Sequence, residues 1–197
     1  MKKQTIYHIF SHIPQLETER LILRRMLVSD AEDMFDYAHR SDVTRHLTWE
    51  PHPDIQYTRE YLAYISAHYA AGDFFDWAVV ERVSGRMIGT CGFTRFHCEA
   101  DCAEIGYVLH PSFWGRGIAT EAVREVIRFG FHRLEVNRIE AKFMEGNEAS
   151  RRVMEKNGMT FEGMLRQSMY IKGDYRNVGI CSILRSEYFS WERGAFE

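Results

Sequence analysis

The turn from Trp114 to Ala122 carries the residues whose types and spacing best suit ligand binding. It holds Gly115 and Gly117 and joins a run with strand character, Ala103 to Leu109, to a run with helix character, Ile118 to Arg133. The start of a helix presents backbone N–H groups without partners and the positive end of the helix dipole. Small residues leave those groups uncovered, so we expect the turn to bind an anionic cofactor through a phosphate or pyrophosphate.

A carboxylate suited to proton transfer lies in the strand before this turn. Alternation along Ala103 to Leu109 places Glu104, Gly106 and Val108 on one face, where the glycine leaves room for a substrate. An ordinary glutamate has a pKa of about 4.3 and is a weak base, so Glu104 needs a raised pKa or a water relay. The alternative is a solvated strand glutamate. His110 ends the same face and is a second candidate base.

The elements that must position these residues alternate between strands and helices. Helices are expected from Ser29 or Asp30 to Ala38, over 55–71, over 118–133 and after Asn147, which is spaced as an N-cap before Ser150. Strands are expected over 20–24, 75–82, 87–96, 103–109, 138–144, 165–171 and 175–184. This order predicts an α/β fold of mixed type, with a central mixed twisted sheet of six to seven strands and helices on both faces.

Length and composition limit the possible classes of protein. With 197 residues, of which 45% are hydrophobic, we expect one domain over 1–197, in which the unpatterned residues 1–14 form an N-terminal extension. A net charge of −3 argues against direct nucleic-acid binding, and no apolar run approaches the ~20 residues of a membrane span. We expect no signal peptide, and therefore a cytoplasmic protein with reduced cysteines.

A metal site is not expected. Cys98 and Cys102, with His97 nearby, form one loose pair. A zinc site takes about four ligands, usually as two close pairs, and no second pair is visible.

Six ordered blocks of the chain resemble the GNAT N-acetyltransferase superfamily, and more closely its RimJ/RimL branch of ribosomal-protein N-terminal acetyltransferases. These blocks lie at 16–24, 88–93, 104–109, 114–122, 147–150 and 156–159. The superfamily motif Gln/Arg-x-x-Gly-x-Gly/Ala is matched by Trp114, Gly117 and Ala119, and a Trp at the first place is usual in the RimJ/RimL branch. A Rossmann dinucleotide site is disfavoured, because the third glycine position and the following acidic residue are missing.

The resemblance implies the GNAT acyltransferase fold and acetyl-CoA as cosubstrate, with no metal. The implied cofactor-binding residues are Val108, Leu109, Trp114, Gly115, Arg116, Gly117, Ile118, Ala119, Thr120 and Asn147. The N–H groups of 115–120 would hold the pyrophosphate and the Val108 N–H the acetyl carbonyl. Glu104 is the candidate base. Ser150, near the sulfur, is the candidate thiolate donor, because the position at which many relatives have a Tyr is Met154 here.

The acceptor must be recognised by residues outside these motifs, and we expect Trp49, Glu50 and Asp174 on the substrate side. An α-amino group has a pKa near 7.7–8.0 against about 10.4 for lysine, which favours a protein N-terminus, such as that of a ribosomal protein. The alternatives are a small-molecule amine (an antibiotic, a polyamine or an amino acid) and a CoA-binding regulatory module without catalysis. The sequence leaves open whether the protein is a monomer or a homodimer.

Overall fold

One mixed sheet organises the chain in the computed structural model, which describes residues 3–194 and, for 191–194, the backbone alone. Its strand order is β1-β2-β3-β4-β5-β6-β8-β7, and every neighbouring pair is antiparallel except β5 and β6. The strands are β1 Leu16–Glu17, β2 Leu21–Arg24, β3 Asp76–Glu81, β4 Met87–His97, β5 Cys102–Leu109, β6 Arg138–Met144, β7 Thr160–Ile171 and β8 Asp174–Leu184. The two-residue β1 is the strand beyond the expected six to seven, since it is too short to show alternation.

Seven helices are present in the described part of the chain. They are α1 Lys3–Ser11, α2 Ala31–Ala38, α3 Ser41–Thr44, α4 Ile55–Ala71, α5 Ile118–His132, α6 Glu148–Lys156 and α7 Arg185–Gly194. The expected cap is present at α6, where Asn147 accepts the N–H group of Ser150, and Asp54 caps α4 in the same way by accepting the N–H group of Tyr57. Asp30 precedes α2 without capping it, because its carboxylate accepts two hydrogen bonds from Arg24 and one from the Leu27 N–H.

The sheet separates two apolar cores, so helices cover both of its faces as predicted. Along β3, Trp77 and Val79 pack into the core beneath α5, whereas Ala78 and Val80 pack into the core beneath α2 and α4. Strand β5 alternates in the same way. Its residues 103, 105 and 109 enter the first core, and therefore Glu104, Gly106 and Val108 face the opposite side.

The N-terminal segment is an integral part of the first core rather than an unpatterned extension. Its helix α1 buries Ile6 and Phe10, which lie one helical turn apart on the same face. The Phe10 ring stands edge-on to Trp77 and Phe129, with ring centroids 5.4 and 6.2 Å apart. Only two of its nine residues are buried, and the apolar residues cluster within 6–10, which gave too short a periodic signal for the sequence to predict this helix. Met1 and Lys2 lie outside the described residues.

The parallel pair β5–β6 opens a gap in the sheet. The ladder between the two strands runs from Cys102–Arg138 to Ile105–Ala141 and stops there, although both strands continue. On their other sides, β6 pairs with β8 and β5 pairs with β4 along their whole lengths, so β5 and β6 separate beyond this point. The end of β5 therefore faces open space on one side, directly before the glycine turn.

Candidate active site

The glycine turn has the backbone geometry of an anion site. Gly115 and Gly117 have φ of +72° and +77°, a left-handed conformation that glycine adopts without strain. No atom lies within 4 Å of a Cβ built on Gly115, so the turn is open. The first backbone bond of α5 runs from the Glu121 N–H to the Gly117 carbonyl, and the N–H groups of 118–120 therefore have no acceptor within the helix.

Residues distant in sequence hold this turn in place. Arg20 donates one hydrogen bond to the carbonyl of Arg116 and another to the carboxylate of Glu121, at 3.0 and 2.6 Å. Glu121 also accepts the hydroxyl of Thr18 at 2.6 Å. The indole N–H of Trp114 donates to the Leu109 carbonyl at 2.7 Å, which ties the turn to the end of β5.

A cavity of about 610 Å³ extends from this turn and contains most of the predicted cofactor residues. Its lining includes Val108, Leu109, Trp114, Gly115, Gly117, Ile118, Ala119, Thr120 and Asn147. Arg116 contributes to the turn but does not line the cavity, because its side chain lies over the Phe113 ring and on the Ser112 carbonyl. Arg45, Arg152 and Lys156 also line the cavity, so three cations accompany the open amides. This cofactor cavity fits a ligand that carries several phosphates.

The ladder determines which amides of β5 open into the gap. The His110 N–H donates to the Ile88 carbonyl at 2.7 Å, and residues two apart on an antiparallel strand bond to the same neighbour. The Val108 N–H is therefore directed at Thr90 on β4, its partner in the register. The amides of Tyr107 and Leu109 face the gap, so they stand in the position that the sequence suggested for Val108.

A second cavity, of about 310 Å³, lies beside the first, and we call it the acceptor groove. Trp49, Glu104, Gly106 and Lys142 line it, with apolar walls from β6, β7 and β8. Six residues line both cavities: His46, Leu47, Tyr107, Val108, Asn147 and Ser150. The two cavities therefore meet above the end of β5.

Glu104 faces the groove as half of an ion pair. Its Oε2 lies 2.5 Å from Nζ of Lys142 on β6, and its Oε1 accepts a hydrogen bond from Thr94 at 3.2 Å. Lys142 also lies 3.8 Å from Glu140. Alternation along β5 correctly predicted the face of Glu104. The sequence did not show Lys142, which lies 38 residues away and reaches Glu104 only because β5 and β6 are neighbours.

Ser150 lies where the two cavities meet and is hydrogen-bonded to Tyr107. The phenol oxygen of Tyr107 lies 2.8 Å from the Ser150 hydroxyl and 2.9 Å from the Ser150 carbonyl. Burial raises the pKa of Tyr107, so this phenol is neutral. Met154, at the position of the tyrosine found in many relatives, is buried. A tyrosine hydroxyl is thus present near Ser150, but β5 supplies it from a position that sequence reasoning overlooked.

The groove contains a second carboxylate that sequence reasoning missed, Asp76 at the start of β3. Its Oδ1 accepts the Trp77 N–H at 2.9 Å, and the Thr90 side chain is a second hydrogen-bond partner. Burial raises the pKa of the Asp76 carboxyl to about 7 against these hydrogen bonds. The only sequence signal was an acidic residue directly before the apolar run 77–80.

Of the three residues expected on the substrate side, only Trp49 lines the groove. Glu50 and Asp174 are largely exposed and lie outside the lining. Glu50 is 3.8 Å from Lys172, whose Nζ donates to the Thr44 carbonyl at 2.7 Å and so ties the β7–β8 hairpin to α3. Asp174 is 3.5 Å from Arg176 on its own strand. Both acids therefore belong to surface ion pairs outside the groove.

Other candidates from the sequence are held by structural contacts. His110, the second candidate base, accepts the Ser112 N–H through Nδ1 and lies 3.3 Å from Asp36 through Nε2. Its ring lines neither cavity.

Within residues 3–194, no cluster of three or more potential metal ligands occurs, and no helix is long and apolar enough to cross a membrane.

Comparisons with known proteins give the family. The model of the acetyltransferase (GNAT) domain matches residues 20–160. The chain belongs to the GNAT acetyltransferase family. An uncharacterized N-acetyltransferase of Bacillus licheniformis, p20, is 35% identical over 173 residues, which cover 88% of this chain and 97% of that relative. A crystal structure of a GNAT-family acetyltransferase from Bacillus anthracis superposes with a TM-score of 0.78 at 25% identity, covering 88% of this chain and 99% of that one.

A third similar protein belongs to the branch that the sequence suggested. The [ribosomal protein uS5]-alanine N-acetyltransferase of Escherichia coli (strain K12) is 25% identical over 181 residues, 85% of this chain and 90% of that protein. The resemblance to the RimJ/RimL group is thus confirmed. This GNAT enzyme is an N-acetyltransferase, and the family's acetyl donor is acetyl-CoA.

Proposed function

We propose that this GNAT enzyme transfers the acetyl group of acetyl-CoA directly to a primary amine, and that the amine is the α-amine of a protein N-terminus. One observation carries the proposal: the cofactor cavity and the acceptor groove meet at Tyr107, Val108, Asn147 and Ser150. A donor in one cavity and an amine in the other would bring their reacting atoms together there. Since no cysteine of the described chain lines either cavity, we favour transfer within a ternary complex.

The cofactor side supplies binding and polarisation. In this proposal the open amides of 115–120 hold the pyrophosphate, and Arg152 and Lys156 neutralise further phosphate charge. The Leu109 and Tyr107 amides, which face the gap, donate to the acetyl carbonyl oxygen and stabilise the negative charge that develops on it. The Asn147 side-chain NH₂ is available to the pantetheine arm, because only its oxygen is used to cap α6.

The groove side handles protons. Glu104 accepts a proton from the acceptor nitrogen, while Lys142 and Thr94 hold its carboxylate in place. Ser150 gives a proton to the departing thiolate, and the neutral phenol of Tyr107 orients the Ser150 hydroxyl. The burial that raises the pKa of Tyr107 favours this neutral, hydrogen-bonding form.

Two observations support a protein N-terminus as the acceptor. An α-ammonium group loses its proton far more easily near pH 7 than a lysine side chain does. The E. coli relative, moreover, is named for an alanine of ribosomal protein uS5. A small-molecule amine remains the second candidate, because the 310 Å³ groove has the size of a small-ligand site.

The test is a panel of acceptors with acetyl-CoA: peptides that begin with Ala, Ser or Met, the same peptides with blocked N-termini, a polyamine and an aminoglycoside. Release of the CoA thiol and the mass of the product report the transfer. We expect acetylation of the free peptides and none of the blocked ones. Acetylation of the small amines alone would replace the proposed acceptor. Binding of acetyl-CoA without any product would instead favour a regulatory CoA-binding module.

A further inference from the structure

We propose that Asp76 binds the protonated acceptor amine and takes the first of the two protons that its nitrogen must lose, while Glu104 takes the second. This inference rests on the proposed acetyl transfer and extends it to the recognition of a cationic acceptor. It assigns to β3 a catalytic residue that lies outside the motifs of the cofactor turn.

Two glycines, Gly92 on β4 and Gly106 on β5, lie beside Asp76 in the sheet. Asp76 is paired with Gly92 on β4, and Gly92 with Gly106 on β5, so the three residues form one line across the sheet. A Cβ on Gly92 would collide with the backbone of Phe75 and Asp76 and would lie 2.7 Å from Oδ1 of Asp76, so the glycine leaves the space into which β3 and this carboxylate fit. Strands are about 4.8 Å apart, so β3 and β5 are separated by roughly 10 Å. Asp76 and Glu104 line the same 310 Å³ groove, which has room for an ammonium group between these strands.

The two carboxylates of the groove differ in their partners. The Glu104 carboxylate forms an ion pair with Lys142, whose Nζ lies 2.5 Å from Oε2. Asp76 has only the Trp77 N–H and the Thr90 side chain as partners, and no cation of the described chain forms an ion pair with it. A partly buried carboxylate without a cation lacks the partner that buried charges usually have. An ammonium group in the groove would supply that missing charge.

The stoichiometry of the reaction requires two proton acceptors. A bound R–NH₃⁺ loses one proton to the Asp76 carboxylate, and the neutral nitrogen then attacks the acetyl carbon. After the C–N bond forms, the nitrogen is positively charged and carries one proton more than the amide product. Glu104 accepts this proton. When the C–S bond breaks, the thiolate takes one proton through Ser150, and the other leaves to solvent. Bonds, charges and protons balance without a further reactant.

The proton affinity of Asp76 suits an α-amine. Burial raises the pKa of its carboxyl to about 7, and an α-ammonium group has a pKa of about 7.7–8.0. The proton affinity of the carboxyl is therefore closer to that of an α-amine than to that of a lysine side chain, whose pKa is about 10.4. Two acids whose surroundings differ in this way commonly divide the proton-transfer roles of a site.

Asp76 is the group expected to set the acid limb of the activity profile near pH 7. The titratable groups that interact with it from α2, α4 and β4 have raised pKa values and stay neutral there. They are Tyr37, Tyr61, Tyr69 and Cys91. His46 also lines the groove, but burial lowers its pKa, so it too is neutral at pH 7. The remaining charged groups that face the groove are Glu104 and Lys142.

The main experiment compares two acceptors in Asp76→Asn: the primary amine that the wild type acetylates best, and its aminooxy analogue, whose nitrogen is already neutral at pH 7. We expect kcat/KM to fall about 100-fold for the amine, the usual size of a lost general base, and less than about threefold for the analogue. Asp73→Asn is the matched control, three residues away, where the carboxylate bonds to His68 outside the groove. It should retain activity, and both variants should keep the wild-type Kd for acetyl-CoA.

A second variant tests the role even if Asp76→Asn folds poorly. The hydrogen bond from Thr90 lowers the pKa of Asp76, so Thr90→Val should raise that pKa. Because only the ionised carboxylate accepts a proton, kcat/KM rises with pH through the pKa of Asp76. The acid limb should therefore move to higher pH by about half a unit to one unit in Thr90→Val.

The outcomes separate this inference from the proposed function. Equal losses on both acceptors, no loss on either, or an unmoved acid limb in Thr90→Val would each overturn the role of Asp76 while acetyl transfer stands. A wild-type enzyme that binds acetyl-CoA and acetylates no amine would overturn the proposed function and, with it, the role of Asp76.

Discussion

The cofactor cavity and the acceptor groove adjoin each other, but the chain builds them differently. The cofactor cavity takes its proposed anion site from the backbone of one continuous stretch, 115–120. The groove takes side chains from six strands, β3 to β8, from the loop that contains Trp49 and from the start of α6. A backbone site requires only that small residues stand at the right places, whereas a side-chain site requires the whole sheet to be in register.

The two cavities also differ in the charges that line them. Arg45, Arg152 and Lys156 line the cofactor cavity, which suits phosphates. Asp76 and Glu104 line the groove, which suits an ammonium group. Substitutions should therefore divide into two classes: those that change the affinity for acetyl-CoA and those that change only the use of the acceptor. Variants on the two sides should therefore differ first in their Kd for acetyl-CoA.

The largest effect is expected for Gly117→Val on the cofactor side. Gly117 has φ of +77° at the start of α5, a conformation that is a genuine outlier for a β-branched residue. The turn would rearrange, and we expect the Kd for acetyl-CoA, measured by calorimetry, to rise at least about 100-fold, in keeping with several lost charge-assisted hydrogen bonds. A Kd within a few-fold of the wild type would contradict the assignment of the turn as the anion site.

On the groove side, Glu104→Gln should reduce kcat by about 100-fold, because an amide cannot accept the proton. The Kd for acetyl-CoA should remain that of the wild type, since Glu104 does not line the cofactor cavity. Lys142→Met is the companion variant: it removes the ion pair and keeps the carboxylate, so its kcat should fall less. An equal loss of acetyl-CoA affinity in Glu104→Gln would show that the two regions are not separable.

Tyr107→Phe tests the boundary, because Tyr107 lines both cavities and touches Ser150. Without the phenol, the Ser150 hydroxyl loses one hydrogen bond, worth about 1 kcal/mol, so we expect kcat to fall roughly fivefold to tenfold. KM values for both substrates should change little. If Ser150→Ala lowers kcat further in the Tyr107→Phe background by the same factor as in the wild type, the two hydroxyls act independently and the coupling is wrong.

The smallest effect is expected for Arg116→Ala, although Arg116 lies within the motif. Its side chain rests on Phe113 and Ser112, outside the cofactor cavity, while its backbone belongs to the turn. The Kd for acetyl-CoA should rise less than about threefold, as for an exposed charge near a ligand. A tenfold or greater rise in titration calorimetry would mean that the side chain swings over to contact the phosphates.

The sequence predicted the cofactor side more completely than the groove. Glycines between a strand and a helix indicated an anion site, and nine of the ten predicted residues do line the cofactor cavity. Their roles in binding stay predictions until a ligand is tested. The exception, Arg116, was chosen for its place in the motif, and a motif does not show where a long side chain points.

The groove was predicted less well because charge and spacing in the sequence do not reveal contacts. Alternation correctly gave the face of Glu104, but Glu50 and Asp174, chosen as acids in variable segments, bond to neighbours outside the groove. Asp76 was overlooked, since nothing in its strand shows that it is paired with Gly92. The helix α1 was missed for a related reason, because its two buried residues find their partners far away in the chain.

By itself, the sequence determined the local features of this enzyme: the periods of its strands and helices, the small residues that open the turn, and the motifs that mark it as a GNAT acetyltransferase. These features depend on neighbours in the chain, so a linear pattern records them. Only the tertiary structure decided that Lys142 meets Glu104 and that Tyr107 meets Ser150, across 38 and 43 residues. It also placed Asp76 beyond a row of glycines, because strand order and register, which no local pattern encodes, determine which side chains share a groove.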